Sequence, residues 1–245
     1  MNLKIYIYVF TLFFSLSVFS QISTDRPDQT EGTYVLNKGF AQIESGWTFD
    51  SDLGSLNTLL RIGSFKGVEL RLNTNLISVR SFDEIDNPPG TKLSNLEIGA
   101  KFNLLNKISS STKVSLLTHL SLGVGDYNNE GILSRLLFSH DLSESVQVAY
   151  NLGYNKYFEN NSESSSRGIF VYSLVLSKGF GPVGTFIEIF GENGSNQTQS
   201  NWDLGLTYLI KDNLQADISY GKGINNQLSY LSVGAAWNFS LKSSK

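Results

Sequence analysis

The chain has little of what disulfide-linked, metal-binding or nucleic-acid-binding proteins depend on. It contains no cysteine, which excludes disulfide bridges and thiolate metal sites. Its 19 Lys and Arg residues are outnumbered by 22 Asp and Glu residues, so no basic excess is available to attract nucleic acid. Its only histidines, His119 and His140, lie far apart and lack metal-binding spacing. The sequence therefore predicts no metal, no cofactor and no nucleic-acid partner.

Long apolar runs and interdomain linkers are also missing. Beyond residue 20, no stretch approaches the ~20 consecutive apolar residues that a membrane-spanning helix needs. The N-terminus itself has the features of an export signal, because Lys4 precedes a short apolar run at residues 5–14 and a small-residue cleavage pattern ends at Ser20. We therefore expect a signal peptide at residues 1–20, followed by one exported domain.

What the chain does contain is a repeated alternation of apolar and polar residues, which is typical of β-strands with one apolar face. In residues 68–76, for example, Leu70 and Leu72 alternate with Glu69 and Arg71. Tight turns alternate with long polar connections between these segments, as in outer-membrane barrels. The pattern predicts about twelve strands, near residues 39–50, 56–65, 68–78, 93–105, 113–124, 131–141, 145–157, 168–177, 183–191, 201–210, 214–221 and 229–239.

A soluble exported β-protein would alternate too, so other features decide between it and a membrane barrel. Glycines recur on the polar face, where they suit the crowded inner wall of a narrow barrel. Aromatic residues lie toward strand ends on the apolar face, as in interfacial girdles. The last strand ends in Trp237 and Phe239, much like the terminal strand that the barrel-assembly machinery reads.

The predicted fold class is therefore all-β: a transmembrane antiparallel up-and-down β-barrel of about 12 strands, of outer-membrane type. The barrel occupies residues 39–240 and is followed by a C-terminal tail at 241–245. An N-terminal periplasmic or lumen segment at residues 21–38 precedes it. Outer-membrane lipid and the barrel-assembly machinery are the expected partners, and the outer membrane is the expected location.

Several stretches of the chain resemble a known family. Residues 23–31 carry the motif Asp25, Arg26, Pro27 and Asp28, and residues 39–46, 60–72 and 203–223 extend the likeness over most of the chain. They resemble the bacterial outer-membrane family named after a phenol meta-degradation pathway. The resemblance implies a transporter-like barrel that passes small organic compounds, and it brings no catalytic residues.

Ten charged residues are expected to face the lumen because they lie on the polar faces of the predicted strands. One interpretation is a polar translocation path whose charges orient permeants. The favoured interpretation is mutual pairing, because unpaired buried charges are costly, and the near balance of signs predicts no strong ion selectivity. The predicted lumen cluster comprises Glu44, Arg61, Glu69, Arg71, Glu97, Lys101, Arg135, Glu188, Asp203 and Asp217.

Three functions remain open from the sequence. The first is a passive channel for small organic molecules, including aromatic or hydrophobic ones. The second is a plugged structural or adhesion barrel that acts through its extracellular loops. The least favoured is an outer-membrane hydrolase using His119 or His140, because no nucleophile motif accompanies these residues. We therefore expect a protein that is not an enzyme.

The N-terminal segment shows neither alternation nor helical periodicity, so it needs a location of its own. Pro27 stiffens it, and it carries charges of both signs. We expect residues 25–31 to fold back into the periplasmic mouth of the barrel, with Arg26 bridging an inward carboxylate such as Glu44 or Glu69. A mobile periplasmic tail is the alternative.

Overall fold

The computed structural model describes residues 22–50, 53–79, 90–105, 111–124, 130–158, 167–194 and 197–241. The signal peptide expected at residues 1–20 and residues 242–245 of the expected tail lie outside these ranges, so both stay predictions. Within the described ranges, no helix is long and apolar enough to cross a membrane.

Twelve strands form one closed antiparallel barrel, in which each strand pairs with its neighbours along the chain and the last closes on the first. This confirms the predicted fold class. Closure gives every strand a partner on both sides, which a β-structure in hydrocarbon requires. The strands are β1 (Phe40–Phe49), β2 (Leu53–Phe65), β3 (Val68–Val79), β4 (Gly90–Leu105), β5 (Thr112–Leu122), β6 (Gly131–Asp141), β7 (Val146–Tyr157), β8 (Arg167–Phe180), β9 (Val183–Asn193), β10 (Thr198–Lys211), β11 (Leu214–Gly223) and β12 (Ser229–Ser240).

The start of β1 and the end of β12 lie at the same rim of the barrel, because Phe40 of β1 pairs with Ser240 of β12. The two-residue turns 66–67, 181–182 and 212–213 lie at this rim, which is the periplasmic one in an outer-membrane barrel. At the opposite rim, the connection between β9 and β10 spans only residues 194–197, whereas the predicted strands 183–191 and 201–210 left a connection over residues 192–200. The ladder between these strands continues to Asn193 and Thr198, which shortens the loop.

The outer face of the barrel is apolar and uncovered. Leu70, Ile98 and Ile187 are 49%, 53% and 54% exposed and belong to a belt of such side chains around the strands. The inward-facing Lys101 and Glu188 are buried. A surface of this kind is stable only against lipid, so the barrel spans a membrane, and its outer-membrane fold places it in the outer membrane.

The lumen is occupied by the chain itself. Residues 22–39, here called the lumen segment, run inside the barrel before β1 begins. Val35 and Leu36 of this segment are buried at 8% and 1% exposure. Near the end of the segment, its backbone passes so close to β2 that a Cβ atom at Gly63 would overlap the Asn37 carbonyl. A glycine at position 63 is therefore required for the segment to enter.

Candidate functional site: a lumen occupied by the N-terminal segment

Asp25 of the lumen segment anchors it to the wall formed by β1 to β4. Its carboxylate accepts hydrogen bonds from Arg71 Nη1 at 2.6 Å and from Lys101 Nζ at 2.8 and 3.0 Å. Arg61 Nη1 lies 3.5 Å from the same carboxylate. The Asp25 backbone N–H also donates to Glu44 at 2.9 Å. The Asp25 carboxylate thus neutralises part of the positive charge of three buried side chains.

The remaining charge of these cations is balanced by wall carboxylates. Arg61 donates to Glu44 at 2.8 Å and to Glu69 at 2.8 and 3.0 Å. Arg71 reaches Glu69 at 3.4 Å. The Leu36 backbone N–H donates to the second oxygen of Glu69 at 2.9 Å, so both ends of the segment bind to this network. Fully buried ions persist only when they are paired and hydrogen-bonded in this way.

The ionisation of Asp25 depends on this pairing. Burial by itself would raise the pKa of Asp25, but the positive charges of Arg61, Lys101 and Arg71 together outweigh burial. They hold the pKa of Asp25 well below its usual range. Asp25 is therefore charged at neutral pH and serves as a fixed anion in the centre of a cationic group.

On the opposite wall, the segment binds to strands β8 and β9 through neutral donors. The Thr30 hydroxyl donates to Glu188 and contacts the Ser173 hydroxyl at 2.8 Å. The Gln29 backbone N–H donates to Glu188 at 2.7 Å. The segment therefore crosses the lumen and is held at both sides.

A group of carboxylates lies beside this second attachment. Burial raises the pKa of Asp28, and the nearby negative charges of Asp203, Asp25 and Glu31 raise it further, to well above its usual range. Asp203 accepts a hydrogen bond from the Tyr230 hydroxyl at 2.6 Å. These neighbours disfavour the charged form of Asp28.

Arg26 lies in a recess made by two glycines. Its Nη2 atom bonds to Asp217 at 3.2 Å and to the Ser232 hydroxyl at 2.9 Å. Gly46 and Gly234 face each other across β1 and β12, and a Cβ atom on either would overlap the guanidinium group. The recess exists because both positions lack a side chain.

The sequence analysis expected Arg26 to bridge an inward carboxylate such as Glu44 or Glu69. Arg26 does bind an inward carboxylate, but neither of these two examples is its partner. Arg61 occupies both of those carboxylates, so Arg26 bonds instead to Asp217, an inward carboxylate on β11. The contacts also lie several residues inside the periplasmic rim and not only at its mouth. No signal in the sequence distinguishes one inward carboxylate from another.

Glu97 forms a separate group on the same wall. It lies 3.1 Å from His119 Nδ1 and accepts hydrogen bonds from Asn73 at 3.2 Å and Asn95 at 2.6 Å. His140 stacks on Tyr150 on the outer face of β6, whereas His119 lies on the inner face of β5. Within the described ranges, neither histidine bonds to a serine, and no Ser-His-Asp arrangement is formed there.

Arg135 is the exception among the predicted lumen cations. In the described part of the chain, it forms no ion pair and no hydrogen bond, whereas Arg61, Arg71 and Lys101 each have carboxylate partners. Three of these four cations are therefore paired, as the favoured interpretation of the lumen charges expected, and Arg135 is not.

The lumen segment separates two cavities. The larger, of about 870 Å³, opens at the periplasmic rim and is lined by Asp28 and by the turn after β6. The smaller, of about 250 Å³, lies farther from that rim and is lined by Gln29, Arg135 and Asn155. Consecutive residues of the segment, Asp28 and Gln29, thus face different cavities.

Neutral inward side chains that the sequence analysis did not single out also hold the segment. The Thr33 hydroxyl contacts Ser139 at 2.7 Å, and Ser115 donates to the Thr33 carbonyl at 2.7 Å. Gln215 donates to the Thr24 hydroxyl at 3.0 Å. The strand alternation places these residues on the inner face, so the same periodicity that located the charged residues would also have found them.

Solved structures share this architecture at low sequence identity. The COG4313 outer membrane channel from Pseudomonas putida F1 superposes with a TM-score of 0.64 at 14% identity, covering 89% of this chain and 100% of that one. The KdgM porin gives 0.61 at 15% identity, covering 81% and 99%. The NanC porin gives 0.57 at 12% identity, covering 82% and 99%. These similarities support the fold of an outer-membrane barrel.

At the sequence level, no curated protein matches the chain. The family model described as "Putative MetA-pathway of phenol degradation" matches residues 24–241, which include the lumen segment from Thr24 onward and all twelve strands. The match confirms the resemblance noted in the motif around Asp25 and Arg26. This chain belongs to the phenol-degradation MetA-pathway family of outer-membrane barrels.

Proposed function

We propose that the protein is a passive, non-enzymatic channel for small organic molecules, including aromatic or hydrophobic ones, and that the lumen segment sets its open cross-section. The observation that carries this proposal is the lumen itself. A barrel of twelve strands is wider than the roughly eight-stranded barrels that side chains alone can fill. In this chain the extra width is taken by one segment, with a cavity on each side of it.

The contacts that hold the lumen segment favour a segment that can move over one that closes the lumen permanently. The contacts to the wall are hydrogen bonds and ion pairs, and only the end that leads into β1 is covalently attached. When the segment leaves the wall, water that enters the lumen can replace these polar contacts, whereas it could not replace the contacts of an apolar plug. Proteins of the same fold are named as porins and as an outer membrane channel, and the family description refers to phenol degradation. These names support the permeant class proposed.

The test is the conductance and solute flux of the purified protein in planar bilayers and liposomes. Deleting residues 22–32 removes the part of the segment that crosses the lumen, so we expect higher conductance than in the wild type. The deletion also takes away the contacts of Lys101 with Asp25 and Glu31. Assembly of the deletion variant therefore has to be verified by heat-modifiable migration on gels.

A point variant keeps the test independent of that risk. In Gly46→Ala, the added methyl group occupies the position of the Arg26 guanidinium and separates it from Asp217. We expect raised conductance from a barrel that still assembles but is less stable than the wild type, because the buried Asp217 loses its partner. Gly179→Ala is the matched control, because a Cβ atom there meets nothing within 4 Å. Absence of any conductance or flux in the wild type, the deletion and Gly46→Ala would contradict the channel proposal.

A further inference from the structure

The smaller cavity contains polar groups that the barrel itself does not use. Arg135 of β6 lies at its edge, and in the described ranges its guanidinium has neither a hydrogen bond nor an ion pair. Asn155 of β7 lines the same cavity, is only 6% exposed, and has an Oδ1 atom without a hydrogen-bond partner. Buried polar groups are normally satisfied, so the open Asn155 Oδ1 acceptor indicates a ligand that donates a hydrogen bond there. The unpaired guanidinium of Arg135, which is partly exposed to the same cavity, adds a positive charge for a negatively charged group of that ligand.

The wall is shaped to direct Arg135 into this cavity. Arg135 pairs with Gly153 on β7, and Gly153 pairs with Val171 on β8. A Cβ atom at Gly153 would lie 2.6 Å from Arg135 Cγ and 2.8 Å from Val171 Cγ2. The arginine stem therefore crosses β7 over a glycine, in the space between β6 and β8.

The rest of the lining is mixed in polarity. Val171 and Phe190 supply apolar surface, while Gln199 and Glu192 face each other across β9 and β10. Gln29 of the lumen segment closes the cavity toward the periplasm. Ligand sites typically enclose roughly 300 to 1,000 Å³, so a cavity of about 250 Å³ suits a small molecule.

We propose that this cavity binds a small organic carboxylate that also carries a hydroxyl group. The ligand carboxylate accepts hydrogen bonds from the Arg135 guanidinium, its hydroxyl donates to Asn155 Oδ1, and its apolar part lies against Val171 and Phe190. Guanidinium groups match carboxylates in geometry and form strong charge-assisted hydrogen bonds. The site lies on the side of the lumen segment that faces away from the periplasm, where a permeant arriving from outside the cell would stop first. This inference deepens the proposed channel function by naming one class of permeant.

Binding is measured by titration calorimetry on the purified, detergent-solubilised barrel, with benzoate as the probe and benzyl alcohol as its uncharged analogue. We expect benzoate to bind roughly tenfold or more tightly than benzyl alcohol, as a charge-assisted hydrogen bond predicts. Arg135→Gln should lose that preference while keeping its affinity for benzyl alcohol. Asn155→Ala should leave benzoate binding unchanged, because benzoate has no donor for Asn155 Oδ1, and should weaken the binding of 3-hydroxybenzoate. Lys156→Gln is the matched control, because Lys156 lies on the outer face of β7.

Three results would overturn the assignment. They are equal affinity of the wild type for both probes, wild-type benzoate binding by Arg135→Gln, and binding of inorganic phosphate as tight as that of benzoate. Calorimetry reports occupancy without flux, so the site and the channel are tested separately. Binding of benzoate by a barrel that conducts nothing would support the site and contradict the channel.

Discussion

At the scale of single residues, the lumen segment depends most on Asp25. This carboxylate faces Arg61, Arg71 and Lys101, all of which are almost completely buried. Arg61 and Arg71 also contact Glu69, but Lys101 is paired with Asp25 and Glu31, both of them on the segment. Removing one member of a buried group leaves uncompensated charge, which costs more than the pair contributes when intact.

We therefore expect Asp25→Asn to lower the free energy of unfolding by about 3 to 5 kcal/mol, measured by urea titration in lipid vesicles. Because the folded pKa of Asp25 is lowered, its stabilisation is present above its pKa in the unfolded chain and is lost as pH falls through the lowered value. The difference between wild type and variant should therefore shrink in strong acid. Asp141→Asn is the control: it removes a partly exposed pair with Lys113, for which we expect a loss of about 0 to 1 kcal/mol. Equal losses in both variants would contradict the role of Asp25.

At the scale of elements, each strand presents one face to lipid and one to the lumen, and β3 allows a direct comparison. Leu72 is 38% exposed on the outer face. Its neighbour Asn73 points inward, where it contacts Asn57 at 2.9 Å and Glu97 at 3.2 Å. The two residues are adjacent in sequence, but their side chains lie on opposite faces of the barrel wall.

Leu72→Arg places a charge in lipid and should cost about 2 to 4 kcal/mol of unfolding free energy if the position is near the midplane. Asn73→Arg places the same charge beside Glu97, so we expect a smaller loss. Both values come from the same urea titration in vesicles. Similar losses at both positions would mean that the two faces of β3 are assigned the wrong way round.

The strands were predictable from the sequence because alternation is local, whereas the position of the lumen segment was not. The pattern located all twelve strands, and it failed only at ends such as Asn193, where the ladder continues through polar residues. The segment has no period, and its partners are distributed over strands from β1 to β12. Choosing Asp217 for Arg26 requires knowing which carboxylates Arg61 has already bound, and that is a property of the closed barrel.

At the scale of the whole molecule, the lumen segment divides the interior into a periplasmic vestibule of about 870 Å³ and a cavity of about 250 Å³. Asp28 and Gln29 of the segment line one cavity each, so we expect a shift of the segment to widen the path between the two cavities. The chain contains no cysteine, so a single engineered pair would form the only disulfide available. Thr33 on the segment and Ser139 on β6 are suited to it, because their hydroxyl oxygens lie 2.7 Å apart.

In the double variant Thr33→Cys and Ser139→Cys, we expect oxidation to lower conductance and reduction to restore it, since the disulfide fixes the segment to the wall. The single variants, treated with the same oxidant, control for other effects of oxidation. Unchanged conductance in the fully oxidised double variant would show that permeation does not require the segment to move at this point.

The contacts of Arg26 also bear on how the barrel assembles. Its partners Asp217 and Ser232 lie 191 and 206 residues later in the chain, on the last two strands. Contacts of such sequence separation form late in folding, because a large loop must close first. The lumen segment, although it is synthesised before the strands, therefore reaches its final position last, after β12 has paired with β1. Protection of the segment from protease during folding would therefore show when the barrel closes. The ion pair between Arg26 and Asp217, which holds the segment in the finished lumen, can form only in a complete barrel.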